Sequence, residues 1–243
     1  MWEMLLQRLN HFLKRIFKVG FVRAGGEFEI ARKSVISRSR CTIIVDGGAN
    51  SGQWSTQVRK NFPEIKIYSF EPLKAPFELL QVNSLNDKNW LIKNEGLGKN
   101  DEVLSMYVSS NEGMSSSFKK PTNHLTEFQT VKFGDHQRAQ IRRLDTDPDL
   151  KGQTIYLKLD IQGSEWDAIQ GCTGLLNEIT AIEVETTLVS MYEGDLTHYE
   201  LIPKIISLGF TPYAISPAHK KVDGRCTYMD VILVRDELLV RNS

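Results

Sequence analysis

From residue 42 onward, short apolar runs alternate with segments of helical periodicity. This alternation is typical of βαβ units, because each helix carries the chain back so that the next strand runs parallel to the last. Residues 154–159 form an apolar run continuous enough for a strand buried on both faces. The pattern therefore predicts an α/β domain built on a mainly parallel sheet.

Apolar runs and turn residues set the expected boundaries of the elements. Strands are predicted at residues 42–45, 65–70, 90–93, 154–159, 179–184, 210–215 and 228–234, with further β segments at 103–108 and 139–144. Helices are predicted at residues 51–60, 75–82 and 197–208, and from about Ser164. The last two strands suit an antiparallel pair at one sheet edge. Residues 109–137 are polar and are interpreted as a long loop or lid.

Composition narrows the classes of partner and compartment. The 243 residues include 30 Lys and Arg against 30 Asp and Glu, so the net charge is zero and we expect no nucleic-acid partner. Cys41, Cys172 and Cys226 lack the paired spacing of a zinc site or a disulfide framework and are interpreted as reduced thiols. The first apolar stretch is interrupted by charges, unlike a signal peptide. We therefore expect a cytoplasmic protein.

Residues 1–40 are expected to form an N-terminal amphipathic helix and a connecting arm, outside a catalytic domain at residues 41–243. Apolar side chains recur at helical spacing among basic residues, at Trp2, Leu5, Leu6, Leu9, Leu13, Ile16 and Phe17. Residues 27–40 are interpreted as a polar approach to the core. Three surfaces are open to the apolar face of the helix: its own domain, a second copy of the chain in a homodimer, or an anionic membrane in a peripheral contact.

A glycine-rich turn follows the first predicted strand and precedes the first predicted helix. Its sequence is Val45-Asp46-Gly47-Gly48-Ala49-Asn50-Ser51-Gly52. The spacing does not fit G-x-G-x-x-G, so a nicotinamide dinucleotide is disfavoured. A D-x-G-x-N-x-G pattern fits instead, and it places the acid of Asp46 at the strand end, where it suits a ligand with a free ammonium group. Glu71 ends the next strand and is placed to bind a ribose diol. Taken alone it would be interpreted as a solvated carboxylate before a helix, but together with the preceding turn the ligand role is favoured.

These motifs continue along the chain as Asn94-Glu95-Gly96-Leu97-Gly98, Ser115-Ser116-Ser117, Arg143-Leu144-Asp145, Leu157-Lys158-Leu159-Asp160-Ile161-Gln162-Gly163-Ser164-Glu165, Glu183-Val184-Glu185, Met191-Tyr192-Glu193-Gly194, Gly209-Phe210 and Asp230-Val231-Ile232-Leu233. In this order they resemble the FkbM-type methyltransferases, a family of class I S-adenosylmethionine-dependent enzymes. The resemblance covers most of the chain after Thr42. It implies a Rossmann-like, seven-stranded sheet in the order 3-2-1-4-5-7-6, with the last strand antiparallel and helices on both faces.

The resemblance also implies where S-adenosylmethionine would bind. Asp46, Gly48 and Asn50 would hold the methionine part, Glu71 the ribose, and the turn at residues 94–98 the adenine edge. The complete set of implied cofactor-binding residues is Asp46, Gly47, Gly48, Ala49, Asn50, Gly52, Glu71, Pro72, Glu95, Gly96, Ser116, Asp160 and Gln162. Gln162 stands where the family often has Glu, so no carboxylate role is carried over to it.

Methyl transfer to a hydroxyl needs help at the acceptor, because the pKa of an aliphatic hydroxyl lies far above 7. Asp160 and Glu185 are the candidate catalytic carboxylates. Either one acts as a general base, which we prefer, or both ligate a divalent ion such as Mg²⁺. Glu165 and Glu183 lie nearby, but structural roles at a helix start and in an ion pair explain them as well.

The acceptor pocket is less constrained by the sequence. Tyr192 and His219 are the candidate substrate-binding residues, and His124 in the lid is interpreted as a surface histidine, with a functional role as the dissenting alternative. We expect O-methylation of a hydroxyl on a glycan or a secondary metabolite. The alternatives are N-methylation of a protein or small molecule, and a cofactor-binding scaffold at a membrane that has lost catalysis.

Overall fold

The computed structural model describes residues 26–220 and 223–240. Within them the strands are β1 Ile43–Gly47, β2 Lys66–Phe70, β3 Trp90–Lys93, β4 Gly96–Leu97, β5 Glu102–Ser109, β6 Phe133–Arg142, β7 Ile155–Leu159, β8 Ile179–Thr187, β9 Phe210–Lys220 and β10 Cys226–Arg235. The α-helices are α1 Gly26–Arg38, α2 Gln53–Arg59, α3 Lys74–Ser84, α4 His124–Glu127, α5 Glu165–Gln170, α6 His198–Ser207 and α7 Asp236–Val240. Every strand and helix predicted after residue 41 has a counterpart among these elements.

Seven of the strands form one sheet in the order β3-β2-β1-β7-β8-β10-β9. β1 lies in the interior of the sheet and runs parallel to β2 and β7, with Val45 opposite Tyr68 on one side and Leu157 on the other. β10 is antiparallel to both β8 and β9. When the three strands inserted after β3 are set aside, this is the order 3-2-1-4-5-7-6 with an antiparallel last strand. The fold predicted from the resemblance is therefore confirmed.

The three inserted strands form a second, smaller sheet in the order β4-β6-β5. β6 begins at Phe133, so the predicted loop at residues 109–137 wrongly includes the first five residues of this strand. The missed part of the strand is mostly polar and exposed, because it pairs with β5 without covering a core on its outer side. Only the alternation at Ala139 and Ile141, which are buried, was visible in the sequence.

Both faces of the central strands are covered, as the continuous apolar run predicted. On one face Val45, Leu157 and Val184 belong to one hydrophobic cluster. On the other face Ile44 and Tyr156 pack in a second cluster with α1, α2 and α3. Because parallel strands bury both faces, their carboxyl ends are the natural place for a site in this sheet.

The prediction of a polar connecting arm at residues 27–40 is wrong, because residues 26–38 form helix α1. Its inward side carries Phe28, Val35 and Ile36, which are buried against the sheet. Arg32 lies on that same side and makes a bidentate ion pair with Glu183 of β8, at 2.6 and 2.7 Å. Because Arg32 interrupts the row of buried apolar residues, the sequence does not show the apolar periodicity that is typical of a helix.

We expect Arg32→Ala to destabilise the protein by about 3–5 kcal/mol, because it leaves the carboxylate of Glu183 buried without its counterion. Only 5% of the Glu183 side chain is exposed. Lys33→Ala is the matched control, since Lys33 pairs with Glu29 on the surface, where an ion pair contributes about 0–1 kcal/mol. Urea unfolding measures both. Equal losses in the two variants would show that the buried pair does not stabilise α1 on the sheet.

The expected N-terminal helix, and with it the homodimer and the membrane contact, lie outside the described residues. In the part of the chain that the structure describes, no helix combines the length and apolar character needed to cross a bilayer. Cys41 and Cys172 are buried and Cys226 is partly buried, and all three are free, as expected.

Candidate active site

The turn after β1 is held tightly against β2 and β7. The backbone N–H groups of Gly48 and Ala49 both donate to the carbonyl oxygen of Phe70, each at 3.0 Å. Gly48 has a φ of 74°, in the left-handed region that favours glycine. A Cβ at this position would lie 1.9 Å from the carbonyl oxygen of Asp160. The glycine therefore lets the end of β1 approach the loop after β7.

Glu71 is fixed at the end of β2 by two backbone donors. Its Oε2 accepts from the N–H of Asn50 and its Oε1 from the N–H of Leu73, both at 2.8 Å. Burial raises the pKa of Glu71 to about 7, although these two hydrogen bonds oppose the shift. The carboxyl is thus rigid, and it still has acceptor capacity for a ligand.

Asp46 is fully buried and is paired inside the protein. Its Oδ2 accepts from the hydroxyl of Ser55 at 2.7 Å, and its Oδ1 lies 3.1 Å from Nζ of Lys158. Burial alone would lower the pKa of Lys158, but the charges of Asp46 and Asp160 raise it above its ordinary value. The ammonium group beside Asp46 is therefore supplied by the chain. Sequence reasoning missed Lys158, whose signal was a lysine in an otherwise apolar strand.

A cavity of about 640 Å³ lies at the carboxyl ends of the central strands, beneath residues of the segment between β5 and β6. The sequence-predicted residues that line it are Gly48, Ala49, Asn50, Glu71, Pro72, Gly96, Ser116, Asp160, Gln162 and Glu185. Those that are not among its lining residues are Asp46, Gly47, Gly52, Glu95 and Tyr192. His219 belongs to β9, one position after the lining residue Ala218, and its side chain lies outside the described part of the structure.

The predicted residues outside the lining contact the protein itself. A Cβ on Gly52, whose φ is 88°, would meet the side chains of Leu80 and Trp90 at 2.8 and 2.9 Å. Glu95 forms a bidentate ion pair with Arg142, at 2.5 and 3.1 Å. Gly52 and Glu95 therefore contact other parts of the protein and are not exposed to the cavity.

Gln162 holds the two candidate catalytic carboxylates together. Its Nε2 donates to Asp160 Oδ1 and to Glu185 Oε2, each at 2.9 Å. The hydroxyl of Tyr192 lies 2.9 Å from Gln162 Oε1 and from the carbonyl oxygen of Ser115. Tyr192, expected to bind substrate, is fully buried, and its hydroxyl contacts Gln162.

Burial and neighbouring acids affect the pKa of Glu185. Burial raises the pKa of Glu185 well above its ordinary value, and the charges of Asp160 and Asp230 raise it further. Asp230 is paired opposite Glu185 across β10 and β8, and burial raises the pKa of Asp230 to about 7. A raised pKa makes the carboxylate of Glu185 a stronger proton acceptor than an ordinary glutamate, which suits it to take a proton from a hydroxyl.

The two other acids have structural contacts. Glu183 binds Arg32 and also accepts from the hydroxyl of Tyr156 at 2.5 Å. Oε1 of Glu165 accepts from the N–H groups of Ile161 and Gly163, at 3.0 and 3.2 Å. Across residues 26–220 and 223–240, no group of three or more His, Cys, Asp or Glu side chains is placed to share a metal ion.

His124 is not the surface histidine that its polar surroundings in the sequence indicated. It is 1% exposed and lines the cavity together with Phe128 and Tyr228. Its ring lies 4.7 Å from that of Phe128 and 5.6 Å from that of Tyr192, measured between centroids. The signal in the sequence was Phe128, four positions later on the same short helical segment.

Comparisons with known proteins agree with this geometry. The family model described as Methyltransferase FkbM domain matches residues 46–212. The chain is 25% identical over 202 residues to 2-O-methyltransferase NoeI of Sinorhizobium fredii (strain NBRC 101917 / NGR234), covering 79% of this chain and 81% of that protein. It is 27% identical over 183 residues to Methyltransferase sdnD of Sordaria araneosa, covering 72% and 69% of the two chains.

Among solved structures, the fold is similar to that of a Methyltransferase FkbM from Methylobacillus flagellatus KT. The TM-score is 0.50 at 16% sequence identity. The match covers 79% of this chain and 43% of that one, so the solved protein is much the longer. This similarity supports the sheet and its topology.

Proposed function

Because the chain belongs to the FkbM methyltransferase family, we propose that it transfers the methyl group of S-adenosylmethionine to a hydroxyl oxygen of a glycan or a secondary metabolite. This proposal depends chiefly on one cavity that is lined both by the turn at Gly48 and Glu71 and by Asp160 and Glu185. The turn and Glu71 suit a nucleoside, and Glu185 suits the removal of a proton from an acceptor hydroxyl.

The cofactor would lie across the carboxyl ends of β1 and β2. Glu71 has acceptor capacity for the ribose diol, and the turn at Gly48 lines the cavity where the amino-acid part would lie. Pro72, Gly96 and Ser116 line the same part of the cavity and would face the adenine. Asp46 would act indirectly, by holding Lys158. Its place behind the lining favours this over the direct ammonium contact expected from the sequence.

The protein's part in the reaction is alignment and proton removal. The bound cofactor supplies an activated methyl group. When an acceptor hydroxyl takes up that methyl group, the carboxylate of Glu185 would accept the hydroxyl proton. Gln162 holds that carboxylate beside Asp160, whose negative charge favours a cationic ligand nearby.

An oxygen acceptor is supported over nitrogen by two observations. NoeI, the relative that matches four fifths of the chain, is named a 2-O-methyltransferase. The chain also lacks the Asn/Asp-Pro-Pro-Tyr string that many amide and base methylases carry.

Incubation of a cell extract with methyl-labelled S-adenosylmethionine tests this proposal. We expect the wild-type protein to label an acceptor through an oxygen that resists amine-specific analysis. Glu71→Ala should abolish the labelling, and Glu78→Ala, which changes an exposed acid on α3, should not. Binding of cofactor without labelling in any extract would favour the scaffold, and a labelled nitrogen would favour N-methylation.

The affinity for S-adenosylhomocysteine should rise as the pH increases through about 7. The pKa of Glu71 is raised to about 7, so the carboxyl is protonated below this pH and ionised above it. An ionised carboxylate accepts hydrogen bonds from a diol more strongly, so the gain should be roughly tenfold between about pH 6 and pH 8. Calorimetry measures it. Glu71→Gln should bind weakly and without this dependence, and a flat wild-type profile would contradict the assignment.

A further inference from the structure

Two buried polar side chains that line the cavity each carry an atom without a hydrogen-bond partner. In the described part of the chain, Nδ1 of His124 and the hydroxyl of Tyr228 form no hydrogen bond. His124 is 1% and Tyr228 6% exposed, and both line the cavity. Buried polar groups are normally paired with protein, water or ligand. Two of them at one end of a cavity indicate a ligand with at least two hydrogen-bonding groups.

The surroundings of this pair are aromatic. The ring of His124 packs against Phe128 and, edge to face, against Phe133 at 5.3 Å. The ring of Tyr228 lies 5.9 Å from that of Phe128. Aromatic faces give flat, apolar contact area, and the two polar atoms interrupt it. A ring-shaped ligand with an apolar face and polar edges fits such a surface.

The acidic lining of the cavity favours a neutral ligand over an anionic one. Glu71, Asp160 and Glu185 line it, whereas Lys158 is the one lysine or arginine among its described lining residues and is paired with Asp46. Burial lowers the pKa of His124, so its ring is neutral at neutral pH. An acceptor carrying a phosphate or a carboxylate would meet acidic side chains in this lining without a free cation to bind it.

We propose that His124, Phe128 and Tyr228 form an acceptor subsite for a neutral sugar ring, with one sugar hydroxyl hydrogen-bonded to Nδ1 of His124 and a second to the Tyr228 hydroxyl. The inference rests on the proposed function and adds the class of acceptor and the residues that recognise it. Tyr228 lies on the same face of the sheet as Asp230, which is paired opposite Glu185. A ring seated here therefore presents its remaining hydroxyls toward the catalytic carboxylates.

Binding of methyl glycosides of neutral hexoses tests the subsite, with the matched uronic acids as the charged comparison. We expect saturation-transfer NMR, in the presence of S-adenosylhomocysteine, to detect the neutral glycosides and not the uronic acids. His124→Phe and Tyr228→Phe keep the aromatic surface and remove one polar atom each. Each should weaken glycoside binding roughly tenfold and leave affinity for S-adenosylhomocysteine within about twofold of wild type.

The same variants separate recognition from a structural role. Since each removes an unpaired buried polar atom, the melting temperature should stay the same or rise. Tyr199→Phe, at an exposed tyrosine of α6, is the control for binding. Wild-type glycoside affinity in both variants, preference for uronic acids, absence of glycoside binding, or a joint fall of melting temperature and S-adenosylhomocysteine affinity would overturn the subsite. Failure of the wild-type protein to bind S-adenosylhomocysteine would instead overturn the proposed function.

Discussion

Glu185→Gln is expected to lower the rate of methyl transfer by about 10²- to 10⁴-fold, the usual cost of losing a general base. Affinity for the cofactor should change little, because the proposed cofactor contacts are Glu71 and the turn at Gly48 rather than Glu185. Asp160→Asn should cost less, since burial raises the pKa of Glu185 and makes its carboxylate a stronger proton acceptor than an ordinary glutamate. Single-turnover rates at saturating cofactor measure both effects.

Glu193→Gln, at an exposed acid, is the matched control for these rates. If a chelator abolishes wild-type activity and Mg²⁺ restores it, the two carboxylates act as metal ligands, and the general-base role falls. Unchanged rates in both Glu185→Gln and Asp160→Asn would leave neither role standing.

Gly48→Ala is expected to weaken cofactor binding at least about a hundredfold, which corresponds to about 2.7 kcal/mol. The added Cβ would lie 1.9 Å from the carbonyl oxygen of Asp160, and the φ of 74° disfavours any side chain. Because the obstacle is backbone, the turn and the loop after β7 must move apart. Gly134→Ala is the control, since nothing lies within 4 Å of its Cβ. Calorimetry showing wild-type affinity for a folded Gly48→Ala would contradict this role of the turn.

The turn at residues 46–52 was predictable because its requirements are local. A strand end, a helix start and a backbone with positive φ leave a direct trace in the glycines at 48 and 52. The parallel sheet was predictable from the apolar runs, because parallel strands that are buried on both faces have continuous apolar sequences. The strand order came from the resemblance to a family.

Buried charges were not predictable, because their partners are remote in the sequence. Arg32 and Glu183 are 151 positions apart, and neither residue type is expected in a core unless the other is present. Lys158 and Asp46 are joined in the same way across β7 and β1. Because every charge was assigned to the surface, helix α1 was not predicted. For the same reason Asp46 was expected to bind the ammonium group of a ligand, whereas in the structure it pairs with Lys158.

His124 shows a different limit. Its segment is polar, and polar segments are usually exposed loops. Here the segment is anchored over the cavity, through Ser117, whose hydroxyl donates to the carbonyl oxygen of Gln162 at 2.7 Å, and through the pairing of Pro121 with Tyr192. Tertiary contacts of this kind determine which polar side chains face a ligand.

Calorimetric titration of the wild-type protein and of Glu71→Ala with S-adenosylhomocysteine tests whether Glu71 binds the cofactor. We expect one binding site in the wild-type protein and at least a roughly tenfold weaker one in a variant that remains folded, because a charge-assisted contact of about 1.5–3 kcal/mol is lost. Equal affinity in the two folded proteins would contradict the site. Tight binding of NADH without any response to S-adenosylhomocysteine would contradict the function itself.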